Sequence, residues 1–255
     1  MNKLNLKYPY EIVRNQNHTY TVDGWSVPGV TTVNKLLPKP WQLKWVIGEA
    51  TKHIGTKWLP ECTYPQFLID QTLEDSKGAW KKKFEGAGDT GTNVHKYIED
   101  YINDGQLPMI EDKEEDNCFR QFIDWGEKFK PTWIATEMVV ASKEYGFAGT
   151  LDSIAEINGK MCLIDFKTSS GIREEYYIQT AAYQLALEEC VPNLIDGGIR
   201  EPSIVINERW ILRMDKTSKN YEFKLVPTPY AQDVLAFTSL LALHKSLVPY
   251  RGFLK

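Results

Sequence analysis

Cysteine is scarce in this sequence, and long apolar runs are missing altogether. The four cysteines are scattered at positions 62, 118, 162 and 190 without a Cys-x-x-Cys pair, which argues against a zinc or iron–sulfur site and predicts reduced thiols. No apolar stretch approaches the ~18 residues of a membrane span, and the first residues show no apolar secretory signal. We therefore expect a cytoplasmic protein without a membrane anchor.

The sequence also lacks an excess of positive charge, internal repeats and low-complexity linkers. Its net charge of −4 argues against coating nucleic acid by bulk charge, although a local basic groove stays open. With 255 residues, 42% of them hydrophobic, the chain can bury a sizeable core. We predict a single domain over residues 1–255, in which residues 1–85 form an N-terminal extension packed on a core at 86–255.

Two acidic motifs flank a short turn in the middle of the chain. Residues 149–152 (Gly-Thr-Leu-Asp) and 163–168 (Leu-Ile-Asp-Phe-Lys-Thr) are separated by strand-favouring residues and by Asn158 and Gly159. Asn-Gly is typical of a two-residue hairpin loop, because both turn positions need φ > 0. Counting outward from this turn gives three opposed pairs, Ile157 with Lys160, Ala155 with Cys162, and Asp152 with Asp165.

This register would bring two carboxylates to the same side of one strand end. Directly opposed residues have β-carbons about 4.5–5.5 Å apart, and strand alternation puts Lys167 on the same side as Asp165. Like charges at this distance are unfavourable unless a cation compensates, and Mg²⁺ suits hard oxygen ligands. Two interpretations stay open: a divalent-metal site, or a solvated strand end at which Lys167 neutralises one aspartate.

Further metal-binding side chains precede the hairpin. The glycine-rich segment 86–92 is predicted to open a helix, capped by one of its threonines, which carries His95 and Glu99 four residues apart on one face. A helical histidine of this kind is either structural or a ligand. Glu137 interrupts an apolar strand predicted over 133–141, which suggests a partner or a place beside a metal.

Aromatic and basic residues are interleaved in the N-terminal third. Trp41 and Trp45 lie on a helix predicted over about 41–54, and the densest basic run contains Lys81, Lys82 and Lys83. Such side chains can stack on bases and contact phosphates. Alternatively, the tryptophans anchor an amphipathic helix to the core and the lysines form a solvated helix face.

Hydrophobic periodicity predicts the remaining elements. They are a strand at 30–33, an acidic loop at 111–116, helices at 119–129, 173–189 and 228–247, and a hairpin formed by 204–214 and 221–226. In the helix at 173–189, Gln179 and Tyr183 lie four residues apart on one face. They would either line the cleft near the acidic motifs or lie on an ordinary helix surface.

Four motifs in this order resemble the PD-(D/E)XK nuclease superfamily, and within it the RecB-like exonuclease branch, which includes the mitochondrial genome maintenance exonuclease and phage relatives. They are Gly-Thr-x-x-His-x-x-x-Glu at 91–99, Gly-Thr-Leu-Asp at 149–152, Asp-Phe-Lys-Thr at 165–168 and Gln-x-x-x-Tyr at 179–183. The resemblance implies an α/β fold with a central mixed β-sheet flanked by helices, the restriction-endonuclease-like core. It also implies metal-dependent hydrolysis of phosphodiesters.

The resemblance assigns roles to individual residues. The metal, Mg²⁺ or Mn²⁺, would be bound by His95, Asp152, Asp165 and the backbone carbonyl of Phe166. Lys167 would be the catalytic lysine, and Gln179 and Tyr183 would shape the site and contact the DNA strand. Glu99 and Glu137 are candidates for a place just outside the metal ligands, and Thr168 joins the candidate DNA-binding residues.

The activity implied is that of a DNA exonuclease in recombination, repair or replication, acting on a single strand or a duplex end in a bacterial or phage-infected cell. A single-strand-binding or recombination protein is an expected partner. Relatives with an iron–sulfur cluster carry a C-terminal cysteine cluster that this chain lacks. Alternatives are a structure-specific endonuclease, a non-catalytic DNA-binding subunit, and a glycosidase-like hydrolase, which would leave Lys167 without a role.

Overall fold

The structure is a computed structural model that describes residues 8–15, 19–58, 63–189, 194–195, 199–200 and 205–248, excluding the side chains of 40, 41, 77, 79–87, 194–195 and 199–200. The helices are α1 (Val30–Asn34), α2 (Pro40–Lys57), α3 (Gln66–Asp104), α4 (Lys113–Phe129), α5 (Glu174–Glu188) and α6 (Tyr230–Leu247). The strands are β1 (Ile12–Arg14), β2 (Tyr20–Val22), β3 (Trp25–Val27), β4 (Thr132–Ser142), β5 (Phe147–Ile157), β6 (Lys160–Lys167), β7 (Leu194–Ile195), β8 (Ile199–Arg200), β9 (Glu208–Arg213) and β10 (Glu222–Leu225). None of the helices among these residues combines the length and the apolar character needed to cross a bilayer.

A five-stranded mixed sheet forms the centre of the fold, in the order β10-β9-β6-β5-β4. Strands β6 and β9 run parallel, and the other neighbouring strands run antiparallel. The predicted α/β class, with a central mixed sheet flanked by helices, is confirmed. The middle strand is β6, so Asp165 and Lys167 lie in the interior of the sheet and are enclosed by strands on both sides.

Helices cover both faces of this sheet. On one face α1, α5 and α6 pack against it through a core that includes Val33, Ile154, Leu163, Tyr183 and Phe237. On the other face α3 and α4 pack through a core that includes Ile98, Phe122, Trp125, Ile164 and Phe166. Because successive strand residues point to opposite faces, consecutive residues of β6 anchor the two cores. The end of β6 is therefore fixed from both sides.

The chain divides into two compact units. The first comprises Met1–Leu37 and Val94–Lys255, and it contains the central sheet and the three-stranded sheet β1-β2-β3. The second comprises Pro38–Asn93 and contains α2 and the beginning of α3. Within the second unit the rings of Trp58 and Tyr64 stack with their centroids 6.1 Å apart. The prediction of one domain with an extension ending at residue 85 stays a prediction.

Residues 30–33 form the helix α1, so the predicted strand was wrong. Val30, Val33 and Asn34 are buried while the two threonines between the valines are exposed, which is helical spacing. The Asn34 side chain donates from Nδ2 to the carbonyl oxygen of Glu175 at 3.1 Å and so joins α1 to α5. Tertiary packing outweighs the weak strand preference of β-branched residues here.

Two predictions around α3 and α4 were also wrong. The glycine-rich segment 86–92 lies inside α3 and does not open it, and the Thr92 hydroxyl donates to a carbonyl one turn earlier, as mid-helix threonines do. The acidic segment predicted as a loop supplies the first turn of α4. Asp112 caps this helix by accepting hydrogen bonds from the backbone N–H groups of Glu114 (2.9 Å) and Glu115 (3.0 Å). Acidic side chains stabilise this end because the helix dipole is positive there.

Candidate active site

The turn between β5 and β6 sets the register that the sequence predicts. Asn158 and Gly159 have φ of 52° and 74°, the positive values that a two-residue hairpin loop requires. The predicted pairs Ile157 with Lys160 and Ala155 with Cys162 are confirmed, and the ladder continues through Ile154 paired with Leu163 and Ser153 paired with Ile164. Asp152 and Asp165 each lie two residues beyond the pair formed by Ile154 and Leu163, so strand alternation puts them on one face.

The two aspartates are both buried, and their carboxyl groups interact. Asp152 is 8% exposed and accepts a hydrogen bond at Oδ2 from the backbone N–H of Phe166 at 2.7 Å. Asp165 is fully buried, and its Oδ1 atom accepts no hydrogen bond from the described residues. Burial, reinforced by the charge of Asp152, raises the pKa of Asp165 to about 7 against the opposing effect of Lys167. A buried carboxylate oxygen without a donor is an arrangement that a cation would relieve.

Lys167 supplies part of the compensating charge. Its Nζ atom lies 2.5 Å from Oδ2 of Asp165, and its side chain is 16% exposed. Burial works against the charged ammonium, but Asp165 and then Asp152 outweigh it and raise the pKa of Lys167. One cation is therefore shared between two buried carboxyl groups, which leaves the pair incompletely neutralised.

His95 approaches the same strand end from α3. Its Nε2 atom lies 3.0 Å from the carbonyl oxygen of Phe166, while Nδ1 lies 3.6 Å from Oδ1 of Asp152. A carbonyl oxygen only accepts hydrogen bonds, so Nε2 carries the proton. Burial, together with Lys167, lowers the pKa of His95 against the pull of Asp152, and the neutral ring then turns the lone pair of Nδ1 toward the carboxylate.

Glu137 completes this group from β4. Thr136 pairs with Ser153 and Met138 pairs with Leu151, so Glu137 lies across from Asp152. Its φ of 47° is a left-handed conformation inside a strand, which costs on the order of 1–3 kcal/mol and is typical of functional sites. Burial, then the charges of Asp152 and Glu99, raise the pKa of Glu137 to about 7.

Three of these side chains could hold a metal ion together. His95, Glu137 and Asp152 each offer one ligand atom, and these atoms lie within 4.8 Å of one another. Nδ1 of His95 is 4.0 Å from Oε1 of Glu137. One imidazole nitrogen and two carboxylates suit a divalent cation such as Mn²⁺ or Mg²⁺. The sequence predicts Glu137 only beside the metal ligands, and its charge within an apolar strand is the signal for a closer role.

The pair formed by Gln179 and Tyr183 lies on α5 behind the aspartates. Gln179 donates from Nε2 to the Tyr183 hydroxyl at 2.9 Å, and both residues are buried. Burial, then the charges of Asp152 and Asp165, raise the pKa of Tyr183 well above its usual range. Tyr183 is only 2% exposed, so its ring lies inside the protein. The predicted contact between these residues and DNA stays a prediction.

Sequence reasoning missed a contact between the N-terminal sheet and this site. The Tyr20 hydroxyl lies 3.1 Å from Oγ1 of Thr150, two residues before Asp152. Tyr20 is buried in a small core with Val22, Ala141 and Ala148. The interaction spans 130 residues of sequence, and no local pattern around Tyr20 predicts it.

The predicted DNA-binding residues are dispersed between the two units. Thr168 directly follows Lys167 and is half-buried. Trp45 is half-buried on α2, in the second unit. Trp41 and the basic run of Lys81, Lys82 and Lys83 lie on helices whose backbone is described, but these four side chains lie outside the described part of the chain. Contact between these residues and DNA stays a prediction.

Comparison with known proteins gives limited likenesses. No protein-family model matches the sequence, and no curated protein does. The chain is similar to the structure of a putative exonuclease from Eubacterium rectale, at 14% identity and a TM-score of 0.40, over 62% of this chain and 67% of that one. It is also similar to an alkaline exonuclease from Laribacter hongkongensis, at 10% identity and a TM-score of 0.32, over 63% and 84% of the two chains. These likenesses are too low to transfer a function to this chain.

Proposed function

We propose that this protein is a metal-dependent deoxyribonuclease that acts as an exonuclease. The observation that carries the proposal is the position of the Asp165–Lys167 ion pair beside the cluster of His95, Glu137 and Asp152. A cluster that could hold a metal, next to the partly buried Lys167, would supply two groups that phosphodiester hydrolysis needs, a site for a cation and a fixed positively charged donor. Four of these five residues, His95, Asp152, Asp165 and Lys167, belong to the motifs that resemble RecB-like exonucleases, and Glu137 lies outside them.

The ligand cluster fits a divalent ion by the chemistry of its donors. A Mg²⁺ or Mn²⁺ ion bound by His95, Glu137 and Asp152 would lower the pKa of a bound water and neutralise charge on the phosphate. The imidazole nitrogen favours Mn²⁺ over the harder Mg²⁺. Asp165 is a further candidate ligand, since its Oδ1 has no donor among the described residues, and so is the Phe166 carbonyl, which has a second lone pair.

The side chains around the proposed metal site would have separate roles in the hydrolysis. Lys167 presents an ammonium that would orient the attacking water or donate to a non-bridging oxygen of the phosphate. Asp165 holds that ammonium in place through its carboxylate. Gln179 and Tyr183 support the aspartates from behind, and Glu99 adds negative charge near Glu137. Burial strengthens each of these electrostatic interactions, because little water is present to screen them.

The substrate and biological role follow from the resemblance. We propose DNA with a free end as the substrate, and a role in recombination, repair or replication, in the cytoplasm of a bacterial or phage-infected cell. The residues that would contact the strand are Thr168, Trp41, Trp45, Lys81, Lys82 and Lys83. A structure-specific endonuclease with the same centre is the alternative. A non-catalytic subunit is disfavoured, because the lysine and the acidic groups are all present.

End-labelled DNA tests the proposal directly. Linear single-stranded and duplex DNA, and a covalently closed circle, would be incubated with the protein and Mg²⁺ or Mn²⁺. We expect stepwise degradation of at least one linear form, no cleavage of the circle and complete loss of activity in EDTA. Cleavage of the circle would instead support the endonuclease, and activity in EDTA would exclude the metal-dependent mechanism.

Substitutions at the end of β6 test the residue roles. We expect Asp165→Ala and Lys167→Ala each to lower the cleavage rate by on the order of 10²-fold or more, since each removes a group that acts on the developing charge. Lys160→Ala is the matched control, because Lys160 begins the same strand and pairs with Glu208 at the surface. Undiminished cleavage by folded Asp165→Ala protein would refute the assignment.

A further inference from the structure

The ammonium of Lys167 has a second neighbour besides Asp165. Its Nζ atom lies over the ring of Tyr176, 5.0 Å from the ring centroid. A cation at this distance from an aromatic face is attracted by the negative potential of the ring. Tyr176 lies in the first turn of α5 and is not among the residues of the candidate active site.

Tyr176 is itself fixed in place. It is 8% exposed and packs in a small core with Tyr177, Ile211 and Val226. Its hydroxyl donates to Oγ of Ser169 at 3.0 Å. Because the hydroxyl and the core hold two different parts of the side chain, the ring cannot turn away from the ammonium without breaking one of these contacts.

We propose that Tyr176 is a positioning residue that holds the Lys167 ammonium against Asp165 through the face of its ring. This inference rests on the proposed function of the site, in which Lys167 acts on the phosphate. A lysine side chain has four rotatable bonds, and one ion pair restrains its end only loosely. A second contact narrows the positions open to Nζ and leaves N–H donors for the substrate.

The ring face, and not the hydroxyl, is the group that contacts Lys167. The hydroxyl is engaged by Ser169, whose own Oγ donates to the carbonyl oxygen of Gly171 at 2.9 Å. Phenylalanine would therefore keep the interaction with the ammonium, and leucine would remove it. The proposal thus predicts different outcomes for two substitutions at one position.

The neighbouring Tyr177 offers a matched control. It is 6% exposed, belongs to the same small core and lies on the same helical turn. Its ring contacts a different lysine, Lys224, whose Nζ lies 5.6 Å from the ring centroid. Tyr177→Leu thus removes a similar amount of buried surface from the same core without removing a ring that contacts Lys167.

A spectroscopic experiment tests the contact without any need for nuclease activity. The full chain would be labelled with ¹³C at the ε-carbon of lysine, and the Lys167 signal would be assigned by its loss in Lys167→Arg. A ring face shifts nearby protons upfield, so we expect an upfield ε-methylene signal in the wild type and in Tyr176→Phe. In Tyr176→Leu it should return to the position of the other lysines, and in Tyr177→Leu it should not move.

Kinetics then test the consequence for the reaction. We expect Tyr176→Leu to lower kcat by about 2- to 30-fold, the range expected for a cation–π contact, with little change in KM. Tyr176→Phe and Tyr177→Leu should stay close to the wild type. Pentafluorophenylalanine at position 176 keeps the size of the ring but reverses the potential of its face, so it should lower kcat like leucine even if the leucine variant folds poorly.

The possible failures can be told apart. A Lys167 signal that is not shifted in the wild type, or equal losses of kcat in Tyr176→Leu and Tyr177→Leu, would overturn the positioning role. Failure of phenylalanine to restore kcat would overturn the role of the ring face. A wild-type protein that cleaves no DNA would refute the proposed function, while the shift of the Lys167 signal would still decide whether Tyr176 holds the ammonium.

Discussion

His95 contacts the carbonyl oxygen of Phe166 through Nε2, at 3.0 Å. This contact determines which nitrogen of the imidazole has a lone pair available to a cation. With the proton on Nε2, the lone pair of Nδ1 points toward Asp152 and Glu137. A backbone partner that fixes the tautomer and the ring orientation is usual for metal-binding histidines. The geometry therefore favours a ligand over a purely structural histidine.

Removing the imidazole should weaken metal binding. We expect His95→Ala to lower the affinity for Mn²⁺ by at least about 10-fold, with a smaller loss for Mg²⁺, because the nitrogen ligand favours Mn²⁺. Isothermal titration calorimetry with MnCl₂ and with MgCl₂ measures the two affinities. Lys96→Ala is the control, since Lys96 is the next residue of the helix and pairs with Asp100 at the surface. Equal affinities of His95→Ala and wild type would show that His95 is structural.

Metal affinity should also depend on pH. Burial raises the pKa values of Glu137 and Asp165 to about 7, and a metal binds only the deprotonated carboxylates. Raising the pH from 6 to 8 should therefore increase the Mn²⁺ affinity by about 10-fold or more. Titrations in two buffers with different ionisation enthalpies would also reveal the protons released. An affinity that is constant across this range would contradict the raised pKa values.

The parts of the fold that could be predicted from the sequence are those determined locally. Asn158 and Gly159 specify the turn and, with it, the register of β5 and β6. The position of Asp152 beside Asp165 follows from that register alone. The mixed sheet could be anticipated because its strands carry apolar residues of the kind that a buried sheet requires.

The parts that could not be predicted depend on distant partners. Residues 30–33 form a helix because α5 packs on their buried side. No local sequence signal for a helix outweighs the strand preference of their β-branched side chains. Glu137 belongs to the ligand cluster because of a left-handed residue in β4, which the sequence does not mark. The contact between His95 and Phe166 joins residues 71 positions apart.

Gly149 should be essential for the packing of Tyr183. A β-carbon at this position would lie 2.7 Å from Cε1 of Tyr183 and 3.1 Å from Cγ2 of Val30. Both neighbours are buried, so Gly149→Ala should lower the free energy of unfolding by about 1–3 kcal/mol and move the tyrosine away from Asp152. Urea denaturation measures the loss. Gly126→Ala is the control, because a β-carbon there meets no atom within 4 Å and alanine favours helices; a Gly149→Ala protein as stable as that control would contradict the tight packing.

Glu137→Gln should stabilise the metal-free protein and weaken its response to metal. The folded state raises the pKa of Glu137 to about 7, well above the ordinary value of a glutamate, so this residue favours the folded state at low pH. That contribution is lost as the pH rises through about 7, because the buried carboxylate then becomes charged beside Asp152. The neutral amide avoids the repulsion, so in EDTA at pH 8 we expect an increase in the free energy of unfolding on the order of 1–2 kcal/mol.

Thermal unfolding with and without Mn²⁺ separates this effect from a loss of packing. Wild type should gain more stability from Mn²⁺ at pH 8 than at pH 6, whereas Glu137→Gln should gain little at either pH, because one ligand is missing. Glu156→Gln is the control, since Glu156 is exposed on β5 and lies outside the cluster. A Glu137→Gln protein less stable than wild type in EDTA at pH 8 would contradict the repulsion between carboxylates. A full response of this variant to Mn²⁺ would contradict the role of Glu137 as a ligand.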